Sequence, residues 1–216
     1  MRLSKSKIQT WLACKKQYKY RYIENFEIFK TSYAAERGIL IHKYLENIYD
    51  DKEKVFKDLE IRFPEIVTPI KELLKKVPNK PYKSEMNIYD EELNIIGIID
   101  RIEKEGNNTI IIDYKTGKEK DNLDYFRFEL SLYTYLYEKE TKDIVTHWGI
   151  HFVDTNKTII EKVNRKSIEY MKKKVLKVRE DISNEIMFDR TISPLCDYCD
   201  YKEHCFSKNQ VGDGNS

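Results

Sequence analysis

Asn94-Ile95-Ile96-Gly97-Ile98-Ile99-Asp100-Arg101-Ile102 and Thr109-Ile110-Ile111-Ile112-Asp113-Tyr114-Lys115 are two apolar runs, and Glu105-Gly106-Asn107-Asn108 lies between them. β-Branched runs flanking a Gly-Asn step read as a β-hairpin. With Gly106-Asn107 as a two-residue loop, residues whose numbers add to 213 face each other, and Asp100 and Asp113 are such a pair. Their Cβ atoms would lie about 4.5–5.5 Å apart, and like charges directly opposite destabilise a sheet. A hard divalent cation relieves that repulsion. Lys115, two residues beyond Asp113, projects from the same face. Two acids and a lysine around a cation suit phosphodiester hydrolysis.

The 216 residues are 35% charged with a mean hydropathy of −0.69, so the chain reads as soluble. No apolar run approaches the roughly 20 residues that span a bilayer. The start, Met1-Arg2-Leu3-Ser4-Lys5-Ser6-Lys7, lacks the apolar core of a signal peptide. The expectation is a cytoplasmic protein with no membrane partner. The net charge of +2 says little, but its distribution says more: residues 1–23 carry seven Lys/Arg and no acid, and residues 165–179 carry seven against one Glu. Such blocks suit a phosphate backbone, and the sixteen tyrosines offer surfaces on which bases stack. Solvated helix faces would explain either block taken alone.

Ser4 or Ser6 can cap a first helix running to about Tyr22, and a second helix is expected from about Tyr33 to Asp50. Residues 51–76 read as charged helix broken near Pro64 and Pro69. Residues 51–80 together suggest a lid. Strands are expected near 82–90, 93–104 and 108–115, a helix at about 123–139, a strand pair near 145–153 and 157–163, and a basic helix over 165–187. Residues 1–205 form one domain in this reading, and 206–216 a disordered tail. No Gly-x-x-x-x-Gly-Lys-Ser/Thr run supplies a nucleotide motor.

Cys196, Cys199 and Cys205 form a Cys-x2-Cys-x5-Cys set, and Cys14 is the fourth cysteine. Three thiols within ten residues point to a metal or cluster rather than disulfides. Four thiolates satisfy either zinc or an iron–sulfur cluster.

With these residues placed, the chain resembles the RecB-type branch of the PD-(D/E)xK nuclease superfamily. It is most similar to the iron–sulfur members, the AddB nuclease domain and the CRISPR-associated RecB-like exonucleases. The motifs are Ser4-x-Ser6-x-Ile8-x-x-Trp11-Leu12-x-Cys14, then Gly38-x-x-x-His42-x-x-Leu45-Glu46, Gly97-x-x-Asp100, Asp113-x-Lys115-Thr116-Gly117, and the C-terminal cysteines. The resemblance implies an α/β (α+β) restriction-endonuclease-like core. A central mixed sheet is flanked by helices, and the two ends of the chain are joined by a 4Fe–4S cluster on Cys14, Cys196, Cys199 and Cys205. It implies that His42, Asp100 and Asp113, with the backbone carbonyl of Tyr114, bind Mg²⁺ or Mn²⁺. Lys115 would orient and help deprotonate the attacking water. Glu46, one turn after His42, is read as structural or supporting, and Glu85 as either an extra ligand or a solvent-facing strand carboxylate.

The helix after the hairpin departs from the family pattern. Tyr133 is kept, but Glu129 stands where the family has glutamine. At a spacing of i and i+4 the two share a helix face. An ionised glutamate cannot donate to phosphate, so Glu129 is expected either near the metal or neutralised by Arg127. The implied function is a metal-dependent DNA exonuclease acting on single strands or DNA ends in recombination, repair, replication or CRISPR adaptation, with a helicase or another DNA-processing protein as partner. The alternative is a weak or inactive nuclease-fold subunit that binds DNA.

Overall fold

The computed structural model of the chain describes residues 2–28, 33–76 and 79–207. In chain order the elements are β1 (Leu3–Ser4), α1 (Lys5–Ala13), α2 (Lys15–Tyr22), α3 (Tyr33–Asn47), α4 (Lys52–Arg62), a 3-10 turn (Pro64–Ile66) and α5 (Val67–Lys76). They continue as β2 (Lys83–Asp90), β3 (Ile95–Glu105), β4 (Asn108–Lys115), α6 (Arg127–Thr141), β5 (His147–Phe152), β6 (Lys157–Lys162), α7 (Arg165–Asn184) and α8 (Lys202–Ser207). The chain divides into two compact units, one built on Tyr33–Lys174 and the other on Leu3–Ser32 with Val175–Ser216. The tail expected at 206–216 falls from residue 208 onward outside the described residues.

In the larger unit β2, β3, β4, β5 and β6 lie side by side in that order. The β4–β5 pair is parallel and the other three pairs are antiparallel. This is the expected central mixed sheet flanked by helices. The β3–β4 hairpin turns at Gly106-Asn107, with Glu105 opposite Asn108 and Arg101 opposite Ile112, the register expected from the loop. Gly106 has φ +57°, a left-handed conformation that glycine adopts at no steric cost. Helix α6 packs on β2, β3, β4 and β5. A Cβ on Gly97 would lie 2.7 Å from Cδ1 of Leu136 and 3.3 Å from Cδ1 of Tyr133. The missing side chain is therefore what lets α6 approach β3.

Residues 51–76 form the expected charged helices, α4 and α5, and each also has an apolar face. Val55, Leu59, Phe63, Ile66, Val67, Ile70, Leu73 and Leu74 join Ile41, Leu45, Ile48, Tyr114 and Val153 in one buried cluster. The charges occupy the outer faces of two amphipathic helices, and the inner faces pack into the core. Pro64 starts the 3-10 turn as expected. Pro69 does not break α5, because it sits in the first turn, where the N–H has no partner to lose. At the β2–β3 turn the buried Asp90 accepts from the Leu93 N–H at 2.8 Å and the Tyr135 hydroxyl at 3.0 Å, and pairs with Lys139 at 2.5 Å.

In the smaller unit the expected single N-terminal helix is two. Ser4 caps α1 by accepting from the Lys7 N–H, but Cys14 is extended (φ −162°, ψ 115°) and separates α1 from α2. Trp11 packs edge-on against Tyr18 and Phe188, and Tyr20 packs against Tyr201 and His204. The break turns the Cys14 sulfur toward the backbone N–H of Thr191, at 3.5 Å.

Candidate active site

The β3–β4 ladder ends at Arg101–Ile112, one step short of Asp100 and Asp113. At that step the Asp100 side chain takes over the pairing, with Oδ2 accepting from the Tyr114 N–H at 2.7 Å. Its Oδ1 lies 3.4 Å from Nδ1 of His42 on α3, and Oε1 of Glu85 on β2 lies 3.9 Å from the same nitrogen. His42, Glu85 and Asp100 offer three ligand atoms within 4.8 Å of one another. Burial and then the Asp100 charge push the Glu85 carboxyl up to about 7. Burial opposes a charge on His42, but the bond to Asp100, reinforced by Asp113 and Glu85, raises its pKa above the ordinary imidazole value. Glu46 is exposed and adds to the negative field at Glu85.

Asp113 is also buried, and its Oδ2 lies 2.5 Å from Nζ of Lys115. Nζ lies 3.1 Å from Oε2 of Glu129 on α6, and Oε1 of Glu129 accepts from the Tyr133 hydroxyl at 3.1 Å. Burial works against the lysine charge, but Asp113 and then Glu129 outweigh it and hold the Lys115 pKa above the ordinary lysine range. Burial, and next the Glu129 charge, raise the Tyr133 phenol as well. Arg127 does not neutralise Glu129. It pairs with Asp124 at 2.7 Å and Glu161 at 3.2 Å, because two helix positions turn a side chain by about 200°.

The predicted residues are thus placed in two connected groups. His42 and Asp100 meet directly, with Glu85 beside them. Asp113, Lys115, Glu129 and Tyr133 form a chain of contacts alongside. Tyr114 links the two through its N–H. One brace had no local signal: Asp154, just past β5, pairs with Arg37 of α3 and accepts from the Gly117 N–H at 2.5 Å. It ties the turn after Lys115 to the helix that carries His42. Gly38 lies against Thr116 of the same turn, where a Cβ would stand 3.3 Å from Oγ1.

Comparison with known proteins decides the family. A family model described as the PD-(D/E)XK nuclease superfamily matches residues 2–67 and 53–206. The chain belongs to the PD-(D/E)XK nuclease superfamily. Among solved structures, one from Eubacterium rectale described as a "putative exonuclease" aligns with a TM-score of 0.59 at 13% identity, covering 99% of this chain and 94% of that one. The structure of SSO0001 aligns at 15% identity with a TM-score of 0.49, over 95% of this chain and 86% of that one. No curated protein matches. The structural likeness speaks for the fold. The family, together with the His/Glu/Asp group, makes the chain a nuclease of the metal-dependent kind.

All four cysteines, in the smaller unit, line one pocket with Tyr20, Thr191 and Tyr201. Cys196 Sγ lies 3.6 Å from the Thr191 carbonyl oxygen. Among the described residues no three of the sulfurs come within 4.8 Å of one another. No helix among them is long and apolar enough to cross a membrane.

Proposed function

We propose that the chain is a metal-dependent deoxyribonuclease of the RecB-type, iron–sulfur branch, working as an exonuclease on single-stranded DNA or DNA ends. The observation that carries this reading is the convergence of His42, Asp100, Asp113 and Lys115 in a chain of the PD-(D/E)XK superfamily. The donor set fits a hard divalent cation: an imidazole nitrogen and carboxylate oxygens gather where burial and repulsion already disfavour negative charge.

His42, Asp100 and Asp113, with the Tyr114 carbonyl, would hold Mg²⁺ or Mn²⁺, which when bound polarises the scissile phosphate and the attacking water. The Tyr114 N–H keeps Asp100 oriented, with one oxygen engaged and the other toward His42. Lys115, in contact with Asp113 and Glu129, would orient and help deprotonate the attacking water beside the phosphate. Tyr133 steadies Glu129 against the lysine.

The same reading places a 4Fe–4S cluster on Cys14, Cys196, Cys199 and Cys205, joining the two ends of the chain. Their shared pocket supports it. A cluster in which each thiolate meets its own iron would use all four sulfurs. The basic blocks at 1–23 and 165–179 would hold the DNA backbone. Residues 1–205 would act as one cytoplasmic nuclease unit on strands opened by a separate helicase. Glu129 favours one other reading, a DNA-binding subunit with little catalysis, because it engages the lysine that would face the phosphate.

The test is cleavage of 5′- and 3′-labelled single-stranded DNA with Mn²⁺ by anaerobically purified protein, against EDTA, Lys115→Ala and Asp113→Ala. Loss of cleavage of at least about 100-fold in both variants, with folding retained, is the expected result, and the end released first gives the polarity. No cleavage by folded, DNA-binding wild type would instead establish the scaffold reading.

A further inference from the structure

The β2–β3 ladder has a gap at one place. Lys83 faces Ile102 and Ser84 faces Arg101, and pairing resumes with Met86 opposite Ile99 and continues to Asp90 opposite Ile95. The missing step is Glu85 opposite Asp100. Glu85 has φ +46°, the left-handed region, inside a strand and on a side chain that is neither Gly nor Asn. Such a conformation is unfavourable for an ordinary L-residue and persists only where the surroundings impose it. Asn25, Asn94, Lys142, Asn156 and Phe188 are the other non-glycine residues with positive φ among the described residues, and none of them lies within a strand.

The distortion gains no hydrogen bond for the Glu85 carboxylate among the described residues. It brings Oε1 to 3.9 Å from His42 Nδ1 and into the ligand group with Asp100. Regular strand geometry would continue the ladder through this step. The left-handed step interrupts it at the one position where two carboxylates stand opposite each other.

Building on the nuclease reading, we propose that Glu85 is a further ligand of the site's divalent cation, beside His42 and Asp100, and that β2 keeps its left-handed step in order to aim it there. The strain is then a cost carried by the metal-free protein for the sake of the loaded one. This makes an unusual demand: removing Glu85 harms metal binding and spares or improves the fold.

The experiment compares wild type, Glu85→Asn, Glu85→Gly and Asp100→Asn, all metal-free, by thermal unfolding and by calorimetric titration with Mn²⁺. Asn and Gly both tolerate positive φ. The expected result is Mn²⁺ affinity lowered tenfold or more in both Glu85 variants, with the metal-free Tm of Glu85→Asn raised by about 2–4 °C. Wild-type affinity in the Glu85 variants, with Asp100→Asn impaired, would overturn the assignment of Glu85 and leave the nuclease reading standing. Wild type that binds no Mn²⁺ would overturn both. A Tm lowered in both Glu85 variants would show that the left-handed step serves the strand, and would overturn the inference as well.

Discussion

The ammonium of Lys115 on β4, half-buried, lies 3.1 Å from Oε2 of the buried Glu129 on α6. This contact sets the charge balance of the site. Asp113 and Glu129 share one lysine, so the metal-free protein carries more carboxylate than cation here. Glu129→Ala removes an acceptor from the buried Tyr133 hydroxyl and should cost about 1–3 kcal/mol. Glu129→Gln keeps an acceptor and should cost less. Urea unfolding of the two variants checks the order, and a larger loss in Gln than in Ala would contradict it. Under the nuclease reading, Glu129→Gln also leaves Lys115 freer to meet phosphate, so its cleavage rate should equal or exceed that of wild type.

At Gly97 helix α6 packs tightly on β3. In Gly97→Ala the new methyl meets Leu136 at 2.7 Å, and Leu136 is fully buried. Relief requires shifting a packed side chain or the helix, which typically costs about 1–3 kcal/mol. A drop in Tm with an unchanged circular dichroism spectrum is the expected outcome. Because Tyr133 and Glu129 ride on the same helix, cleavage should fall further than stability alone explains.

Asp90 provides a pH signature away from the site. Burial raises its pKa, but Lys139, the Leu93 N–H and Tyr135 outweigh this and hold it below the ordinary aspartate value. A carboxyl whose folded pKa is depressed contributes stability above its unfolded pKa and loses it as pH falls through the folded value. Stability should therefore decline below about pH 4, and Asp90→Asn should flatten that decline. Unfolding midpoints measured from pH 3 to 6 test this, and identical slopes in the two proteins would contradict it.

The cysteine pocket makes an elemental prediction. Protein purified without oxygen should carry about four iron atoms per chain and little zinc. Cys14→Ser should lower the iron content and loosen the packing of Trp11 on Phe188, seen as a change in tryptophan fluorescence. One zinc per chain in place of iron would contradict the cluster.

The hairpin register, the order of strands and helices, and the i, i+4 pairing of Glu129 with Tyr133 were legible in the chain itself, because each is set by contacts between near neighbours. A two-residue loop leaves one register, and 3.6 residues per turn puts those two side chains on one face. The tertiary structure decided the rest. The helix break at Cys14 appears only when Thr191, 177 residues away, is brought to its sulfur. The commitment of α4 and α5 to the core appears only once α3 and Tyr114 supply the other side. The partner of Glu129 is Lys115 and not nearby Arg127, because Arg127 turns away on the helix to Asp124 and Glu161 while Lys115 reaches α6 from the sheet. The left-handed step at Glu85 follows from no local preference of glutamate. It exists because His42 and Asp100, from two other elements, meet at that point of the strand.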